Sequence, residues 1–390
     1  MSLSSVAEVL AFLSLAVWLV LFFLWGSFWR IWEYDADHTL APPLQSWPSV
    51  VAVIPARNEA ASIAPVVAAL AKQDYPGEFH AVIVDDHSED GTADLARQSA
   101  QETALAARIQ ITSAPELAPG WTGKLWALNS GVAASDDSQP EFLWFTDADV
   151  IHAPDTLRRL VSRAERDGFD LSSLMVLLES RTFAERLLIP PFLYFFLMLY
   201  PPNWISDERS KIAGAAGGCI LIRPSALERI GGLATIRSEI IDDCSFARAV
   251  KRSGGKIWTG LTRASHSLRS YTGFPEIRDM IARTAFTQLR YSALQLFGTL
   301  VGLSLIFLVP VALTFAPQNK IWLPALLAWC LMTASFLPTL TFYRLSPIWA
   351  PLLPLAALFY SYATLLSAIR YWLGRGGQWK GRSQASRHSS

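Results

Sequence analysis

Cysteine is scarce in this chain. Three in 390 residues, Cys219, Cys244 and Cys330, do not make a disulfide framework, and none stands at metal-ligand spacing from another. They read as reduced structural thiols. Charge is scarce too: 17% of residues are Asp, Glu, Lys or Arg, where about a quarter is usual for a soluble domain. The 33 basic and 33 acidic residues cancel, so net charge gives no reason to expect a nucleic-acid partner, and none is expected. No Lys or Arg precedes the first hydrophobic run, and no clear small-x-small cleavage site follows it, which argues against a cleaved signal peptide.

Apolar residues make up the difference, and they are unevenly placed. Residues 6–25, VAEVLAFLSLAVWLVLFFLW, are long enough for one bilayer crossing and are followed by Arg30. They fit an uncleaved anchor over residues 6–28 with its C-terminal end in the cytoplasm. Three more apolar stretches, 293–316, 321–343 and 347–372, fill the region 293–372 as a bundle of about three transmembrane helices. Prolines interrupt all three, which a membrane helix tolerates when neighbours re-satisfy its backbone. Residues 373–390 form a basic Gly- and Ser-rich tail with Arg375, Lys380, Arg382 and Arg387, expected to be disordered. One conflict stays open. Three crossings after a cytoplasmic domain put this tail outside, whereas the positive-inside rule wants it inside. Either one stretch does not cross, or the tail breaks the rule.

Residues 48–290 suffice for one globular domain. A β-branched run at 49–54 stops at Pro55, and residues 58–72 read as an alanine-rich helix. Strands follow at 81–84, 108–112 and 142–146, with helices at 91–101 and 124–134 between them. This alternation predicts an α/β fold with a Rossmann-like, mostly parallel, doubly wound sheet. Ligands bind such sheets beyond the carboxyl ends of the strands.

The polar clusters all fall at that edge. Pro55-Ala56-Arg57-Asn58-Glu59 follows the first strand, Asp85-Asp86-His87-Ser88-Glu89-Asp90 the second, and Asp147-Ala148-Asp149 the fourth. Asp90 or Ser88 suits a helix cap, but the pair Asp85-Asp86 is more than a cap needs. Asp147 and Asp149, at i and i+2 on a strand end, both reach one hard divalent cation, which the phosphates of a nucleotide diphosphate complete. Asp242-Asp243 follow an apolar pair and open a helix, where capping is the alternative to catalysis. His266 is a candidate third metal ligand, with a satisfied surface histidine as the bland alternative. Residues 214–219, GAAGGC, precede an apolar strand at 220–222. Their small side chains serve either close approach of a ligand or tight strand packing. Residues 187–200, LLIPPFLYFFLMLY, are too short to span and are bracketed by proline pairs. They read as a core helix or as an interfacial segment over 187–204, with Tyr200 and Trp204 at headgroup level. The second reading favours a lipid acceptor.

VVAVIPARNEA, VIVDDHSEDGT, FTDADV and EIIDDCSFAR, in that order, resemble the family 2 glycosyltransferases of the GT-A fold. The stretch GWTGKLWA at 120–127 and the anchor-plus-bundle layout are most similar to the hopene-associated glycosyltransferases, bacterial membrane proteins linked to hopanoid lipids. The layout also resembles ceramide glucosyltransferase. The resemblance implies a multi-pass enzyme of the bacterial inner membrane whose catalytic domain faces the cytoplasm. It implies a metal-dependent, inverting hexosyltransferase with a nucleotide-sugar donor, a UDP-sugar favoured, and a lipid acceptor, hopanoid-related. Residue by residue, Pro55, Ala56, Arg57, Asn58 and Glu59 would line the nucleoside pocket. Asp85 and Asp86 would include the carboxylate on base or ribose. Asp147 and Asp149 would hold Mg2+ or Mn2+ on the diphosphate, and Asp243 would be the base, with Asp242 and Lys124 on the substrate. Such a reaction needs its leaving diphosphate stabilised by a cation and a carboxylate to take the acceptor's proton. Thr287-Gln288-Leu289-Arg290-Tyr291 stands where many relatives carry Q/R-x-x-R-W. Arg290 is kept to pair with the diphosphate, and the changed ends weaken the case for a processive polysaccharide synthase. A non-catalytic nucleotide-sugar-binding membrane protein is the alternative from another class.

Overall fold

The computed structural model describes residues 3–31, 35, 44–103, 106–135, 138–374, 378–379 and 382–383. The tail residues Arg375, Lys380 and Arg387 lie outside them. Two units emerge: residues 1–32, 180–203 and 271–377 form one, and 33–179, 204–270 and 378–390 the other. In chain order the elements begin with α1 (Leu3–Phe23), β1 (Val50–Ala56), α2 (Ile63–Leu70), β2 (Phe79–Asp85), α3 (Thr92–Gln101), β3 (Ile109–Ser113), α4 (Gly123–Ser135) and β4 (Phe142–Thr146). Then come β5 (Val150–His152), α5 (Thr156–Asp167), β6 (Leu171–Leu177), α6 (Phe183–Leu199), α7 (Pro202–Ser206), β7 (Cys219–Ile222), α8 (Pro224–Arg229), α9 (Asp242–Arg252) and β8 (Ile257–Ser267). The chain continues with α10 (Phe274–Gln288), α11 (Ala293–Leu303), α12 (Val309–Thr314), α13 (Asn319–Phe342) and α14 (Leu353–Trp372), and closes with β9 (Gln378–Trp379) and β10 (Arg382–Ser383).

The second unit is built on an eight-stranded sheet in the order β3-β2-β1-β4-β7-β6-β8-β5. β3, β2, β1 and β4 are parallel, as the strand–helix alternation predicts. Beyond β4 the expectation needs correction, because β4 and β6 both pair antiparallel with β7, and β5 pairs antiparallel with β8, leaving β6–β8 as the one parallel pair of that half. The sheet is mixed rather than mostly parallel. Parallel neighbours need a crossover of about a dozen residues or more. Only the turn Asp147-Ala148-Asp149 separates β4 from β5, so β5 leaves its predecessor and pairs at the far edge.

Two local expectations also shift. β1 does not stop at Pro55 but runs to Ala56, with Pro55 opposite Val84 of β2. Its ladder with β4 has already ended at Val53, so the missing proline N–H costs no bond on that side. The first helix starts at Ile63 and not at residue 58. The N–H groups of Asn58, Glu59 and Ala60 instead donate to Ser88 Oγ, Thr92 Oγ1 and Asp90 Oδ2, from the loop after β2 and the first residue of α3, at 2.9, 2.8 and 3.0 Å. The core below this edge holds Ile54, Val67, Trp144, Leu160 and Trp258. α4 lies directly on β1 and β2, where a Cβ at Gly131 would collide with Val53 and Val84.

The first unit is helical. Five helices in the described residues are long and apolar enough to cross a membrane: Ser4–Phe23, Phe183–Ser206, Ala293–Thr314, Asn319–Phe342 and Pro347–Trp372. The stretch read as too short to span is thus part of a longer helix that starts at Phe183. Glu185 closes its capping box with Thr182 and also accepts the N–H of Arg181 at 2.9 Å and of Tyr271 at 2.7 Å.

Proline and tryptophan work together in this unit. Pro310 has no N–H, so the carbonyl of Ile306, four residues earlier, lacks its helical donor. The backbone widens into a π-turn over Ser304–Leu308, and the Trp18 indole N–H donates to Ile306 O at 2.7 Å. Met198 lies in the last turn of α6, where carbonyls have no helical donor, and its carbonyl accepts from the Trp25 indole at 2.9 Å. In apolar surroundings such a carbonyl has no water to turn to. The contacts also give direction. Ala7 and Ala11 pack with Leu313 of α12, with Ala316 just beyond it and with Ile321 and Ala325 of α13, whereas Trp18 meets Phe307. The α11–α12 segment therefore runs antiparallel to α1, and α13 parallel to it.

Trp18→Phe should lower thermal stability in nanodiscs by about 1 kcal/mol, the scale of interhelical hydrogen bonds in membranes. Pro310→Ala in the same chain restores an N–H to the helix and should recover most of that loss. Additive effects in the double-mutant cycle would show that the two residues do not serve one carbonyl.

Candidate active site

The loops after β1 and β2 are stitched together by polar side chains. Arg57 Nη1 donates to the carbonyl of Asp86 and lies 3.7 Å from its carboxylate. Asn58 takes a left-handed φ of 49° and accepts from Glu89 N–H at 3.0 Å. Asp90 plays the capping part, accepting from Thr92 N–H at 3.1 Å. Asp86 is fully buried. Asp85 Oδ2 accepts from Ser88 N–H at 3.2 Å, while its buried Oδ1 has no hydrogen-bond partner among the described residues.

A second cluster gathers beside it from β4, α4, α9 and the small-residue run before β7. Lys124 Nζ lies 2.8 Å from Asp147 Oδ1 and 3.7 Å from Asp242 Oδ2. Burial pulls the ammonium's pKa down, but Asp147, Asp242 and Asp243 outweigh it and hold Lys124 above the ordinary lysine range. Asp243 is pinned by backbone, Oδ2 accepting from Gly217 N–H at 3.0 Å and Oδ1 from Cys244 N–H at 2.7 Å. Burial, then the neighbouring Asp242, pushes Asp243 up to about 6 against these bonds and Lys124. Asp149 is likewise raised to about 6, by burial and then by Asp147 and Glu59. Pro55, Lys124, Asp147, Gly217, Asp242 and Asp243 line one pocket. Gly217 must stay small, because a Cβ there would stand 3.1 Å from Lys124 Nζ. Asp242 and Asp243 do open α9, so helix start and site coincide.

Residues 51–231 match the family described as Glycosyl transferase family 2. That region is related to the family 2 glycosyltransferases. The chain is similar to the beta-monoglucosyldiacylglycerol synthase of Synechocystis sp., at 31% identity over 39% of this chain and 35% of that protein. It is also similar to an N-acetylglucosaminyltransferase of Mesorhizobium japonicum, at 26% identity over 48% of this chain and 42% of that one. It thus spans well under half the length of both curated relatives. Among solved structures, a mannosyltransferase from Pyrobaculum calidifontis, in complex with GDP-Man and Mn2+, superposes with a TM-score of 0.54. The match covers 93% of this chain and 99% of that one at 17% identity, which is a likeness of fold.

The donor set of this site suits a hard divalent cation. Burial first, and then Asp147 and Glu59, drive Asp149 toward its neutral form, and an oxygen-seeking cation relieves the repulsive part. Among the described residues no three His, Cys, Asp or Glu side chains cluster as a ready-made cage. Asp147 and Asp149 would therefore share the ion with oxygens from a ligand. His266 sits on β8 opposite Ile151 and is not gathered with the two carboxylates into such a group. Arg290 belongs to the other unit, just past α10, where it and Tyr291 both take left-handed φ values of 51° and 56°. Tyr291 stacks there on Tyr371 at 4.3 Å.

One participant left no mark in the sequence. His152 on β5 is buried, with Nδ1 2.8 Å from Ser265 Oγ and Nε2 2.7 Å from Thr146 Oγ1. Thr146 donates in turn to Gly218 O at 3.0 Å. Thr146 must then accept from His152 Nε2–H, which leaves Nδ1 to accept from Ser265. This chain of bonds ties the residue before Asp147 to the one after Gly217. A lone histidine three residues beyond Asp149 carries no periodic or motif signal; only the pairing of β5 with β8 reveals it.

Burial, then His266, lowers the His152 pKa from 6.5 to about 3. Between those values the unfolded state binds the extra proton, so His152 contributes full stability above about 6.5 and loses it progressively as pH falls toward 3. His152→Gln keeps one acceptor and one donor without titrating. Its unfolding free energy should show a pH slope shallower by about one proton in that window. An unchanged slope would refute the assignment.

Proposed function

We propose that this protein is a membrane-bound, metal-dependent, inverting glycosyltransferase that moves a sugar from a nucleotide-diphosphate donor to the hydroxyl of a lipid. The observation that carries the reading is Asp243. Its carboxylate is oriented by two backbone N–H groups and raised to about 6, in one pocket with Lys124 and Asp147. A base is most effective when its pKa lies near the working pH. As the acceptor oxygen bonds to the anomeric carbon, its proton passes to Asp243, and the bond from that carbon to the diphosphate oxygen breaks with its electron pair leaving on the diphosphate. A single displacement inverts the carbon. Lys124 offers a fixed positive charge beside the path of the leaving group. A Mg2+ or Mn2+ on Asp147 and Asp149 would add Lewis-acid stabilisation of the diphosphate.

The buried, unpartnered Asp85 Oδ1 supports nucleoside binding by the loop of residues 55–59, since it can accept from a base N–H or ribose hydroxyl. A UDP-sugar is the favoured donor. Five long apolar helices support a multi-pass protein, placed in the bacterial inner membrane with the catalytic unit facing the cytoplasm, where Arg30 follows α1. A lipid acceptor, hopanoid-related, agrees with the resemblance of residues 120–127. The lipid product for which the Synechocystis relative is named favours the same broad class.

In bilayer nanodiscs with a donor panel and bacterial lipids including hopanoids, label should reach a lipid with Mn2+ and not with EDTA. Asp243→Asn should cut the rate by about 10²–10⁴. The wild-type rate should fall about tenfold per pH unit below about 6, as Asp243 takes up its proton. Metal-dependent nucleotide binding with no transfer to any acceptor would favour the non-catalytic binder.

A further inference from the structure

We infer that three of the five long apolar helices cross the bilayer, α1, α11–α12 and α13, while α6 and α14 lie with α10 as a platform in the lipid–water interface. The inference does not depend on the proposed reaction.

Connectivity excludes α6 as a crossing. It leaves the sheet after β6 and returns to it at β7, and these two strands are hydrogen-bonded neighbours, Leu171 opposite Ile222. A crossing would oblige residues 207–218 to return through hydrocarbon as irregular chain. Those residues are instead fastened to the sheet unit: Lys251 Nζ donates to Ile212 O at 2.7 Å, Thr259 to Gly214 O at 2.6 Å, and Ala216 N–H to Ser173 Oγ at 2.8 Å. Helix direction agrees. A crossing between α1 and α11 would make α11–α12 parallel to α1, whereas Trp18 at Ile306 and Ala11 near Leu313 show them antiparallel.

Charge excludes α14. It lies side by side with α10 along most of its length, from Phe274 against Phe359 at 5.9 Å to Phe286 against Trp372 at 5.5 Å. Ser367 Oγ is inserted into the α10 ladder, accepting from Phe286 N–H at 3.1 Å and donating to Ala282 O. α10 carries Glu276, Arg278, Asp279 and Arg283 within 15 residues, and Arg370 of α14 pairs with Asp279 at 2.7 Å. Four ionisable groups beside α14 have no place at hydrocarbon depth. By contrast, Glu8 and Lys320 are the charged residues of α1, α11–α12 and α13, and each stands near its helix start. α14 still exposes Leu355, Leu358, Leu365 and Ile369, while the half-exposed Tyr362 and Trp372 between and beyond them reach Arg278 and Phe286 of α10. Exposed apolar side chains on a helix with a charged neighbour suit a helix lying in the interface, its apolar face in the acyl boundary.

Three crossings return the chain to the side on which it left α1. The basic tail then shares a side with the sheet unit, which removes the conflict with the positive-inside rule.

The test uses the full chain with Cys330→Ser, since Cys219 and Cys244 are buried. Single cysteines at Lys320→Cys, Ser346→Cys and Ser390→Cys are labelled with a membrane-impermeant maleimide in sealed vesicles of each orientation. The expected result is that Ser346→Cys and Ser390→Cys react from the same side and Lys320→Cys only from the other. Reaction of Ser346→Cys and Ser390→Cys from opposite sides would overturn the inference. As an independent readout, a nitroxide at Leu358→Cys should report interfacial depth and one at Leu327→Cys the bilayer centre. Equal depths at the two positions would also sink it.

Discussion

One ammonium group holds the site together. Lys124 lies among Asp147, Asp242 and Asp243, carboxylates brought in by β4 and the start of α9. Three like charges this close in a partly buried pocket repel strongly, and without a cation among them they would take up protons or move apart. Gly217 lets the arrangement close, because its N–H holds Asp243 and its missing side chain leaves room for Lys124. The parallel half of the sheet, the α4 seat over Gly131 and the small-residue run before β7 all converge on that contact.

The site has a second support below its floor. The bonds from Ser265 through His152 and Thr146 to Gly218 join β8, β5, β4 and the approach to β7. Every donor and acceptor in the run is used once and in one direction, so displacing one member leaves a buried polar group unpaired. The helical unit follows the same rule of satisfaction. The carbonyl orphaned by Pro310 is taken up by Trp18 and the helix-terminal carbonyl of Met198 by Trp25, so breaks in the apolar helices bind them to α1.

Much of this was legible before the fold was known. β4 falls at the expected residues, β2, β3, α3 and α4 within a few, and Asp147, Lys124, Asp242 and Asp243 share one pocket. Strand periodicity and the clustering of polar residues after strands are local properties, and they survive folding. The errors came where a distant segment competes for the backbone. Residues 58–62 have helical composition, but Ser88, Thr92 and Asp90 take their N–H groups. The antiparallel half was missed because strand direction depends on where a chain returns, which no short window records.

By itself, then, the sequence determined the parallel half of the sheet, the polar edge beyond its strands, the carboxylates gathered there and four of the five long apolar stretches, all of which follow from residue type and spacing. The tertiary structure alone decided which carboxylate is held by backbone and raised toward neutrality, that a lone histidine braces the turn Asp147-Ala148-Asp149, and which apolar helices have charged neighbours. Each of these depends on the distance between groups far apart in the chain. Burial, Coulomb energy and hydrogen bonding are functions of that distance.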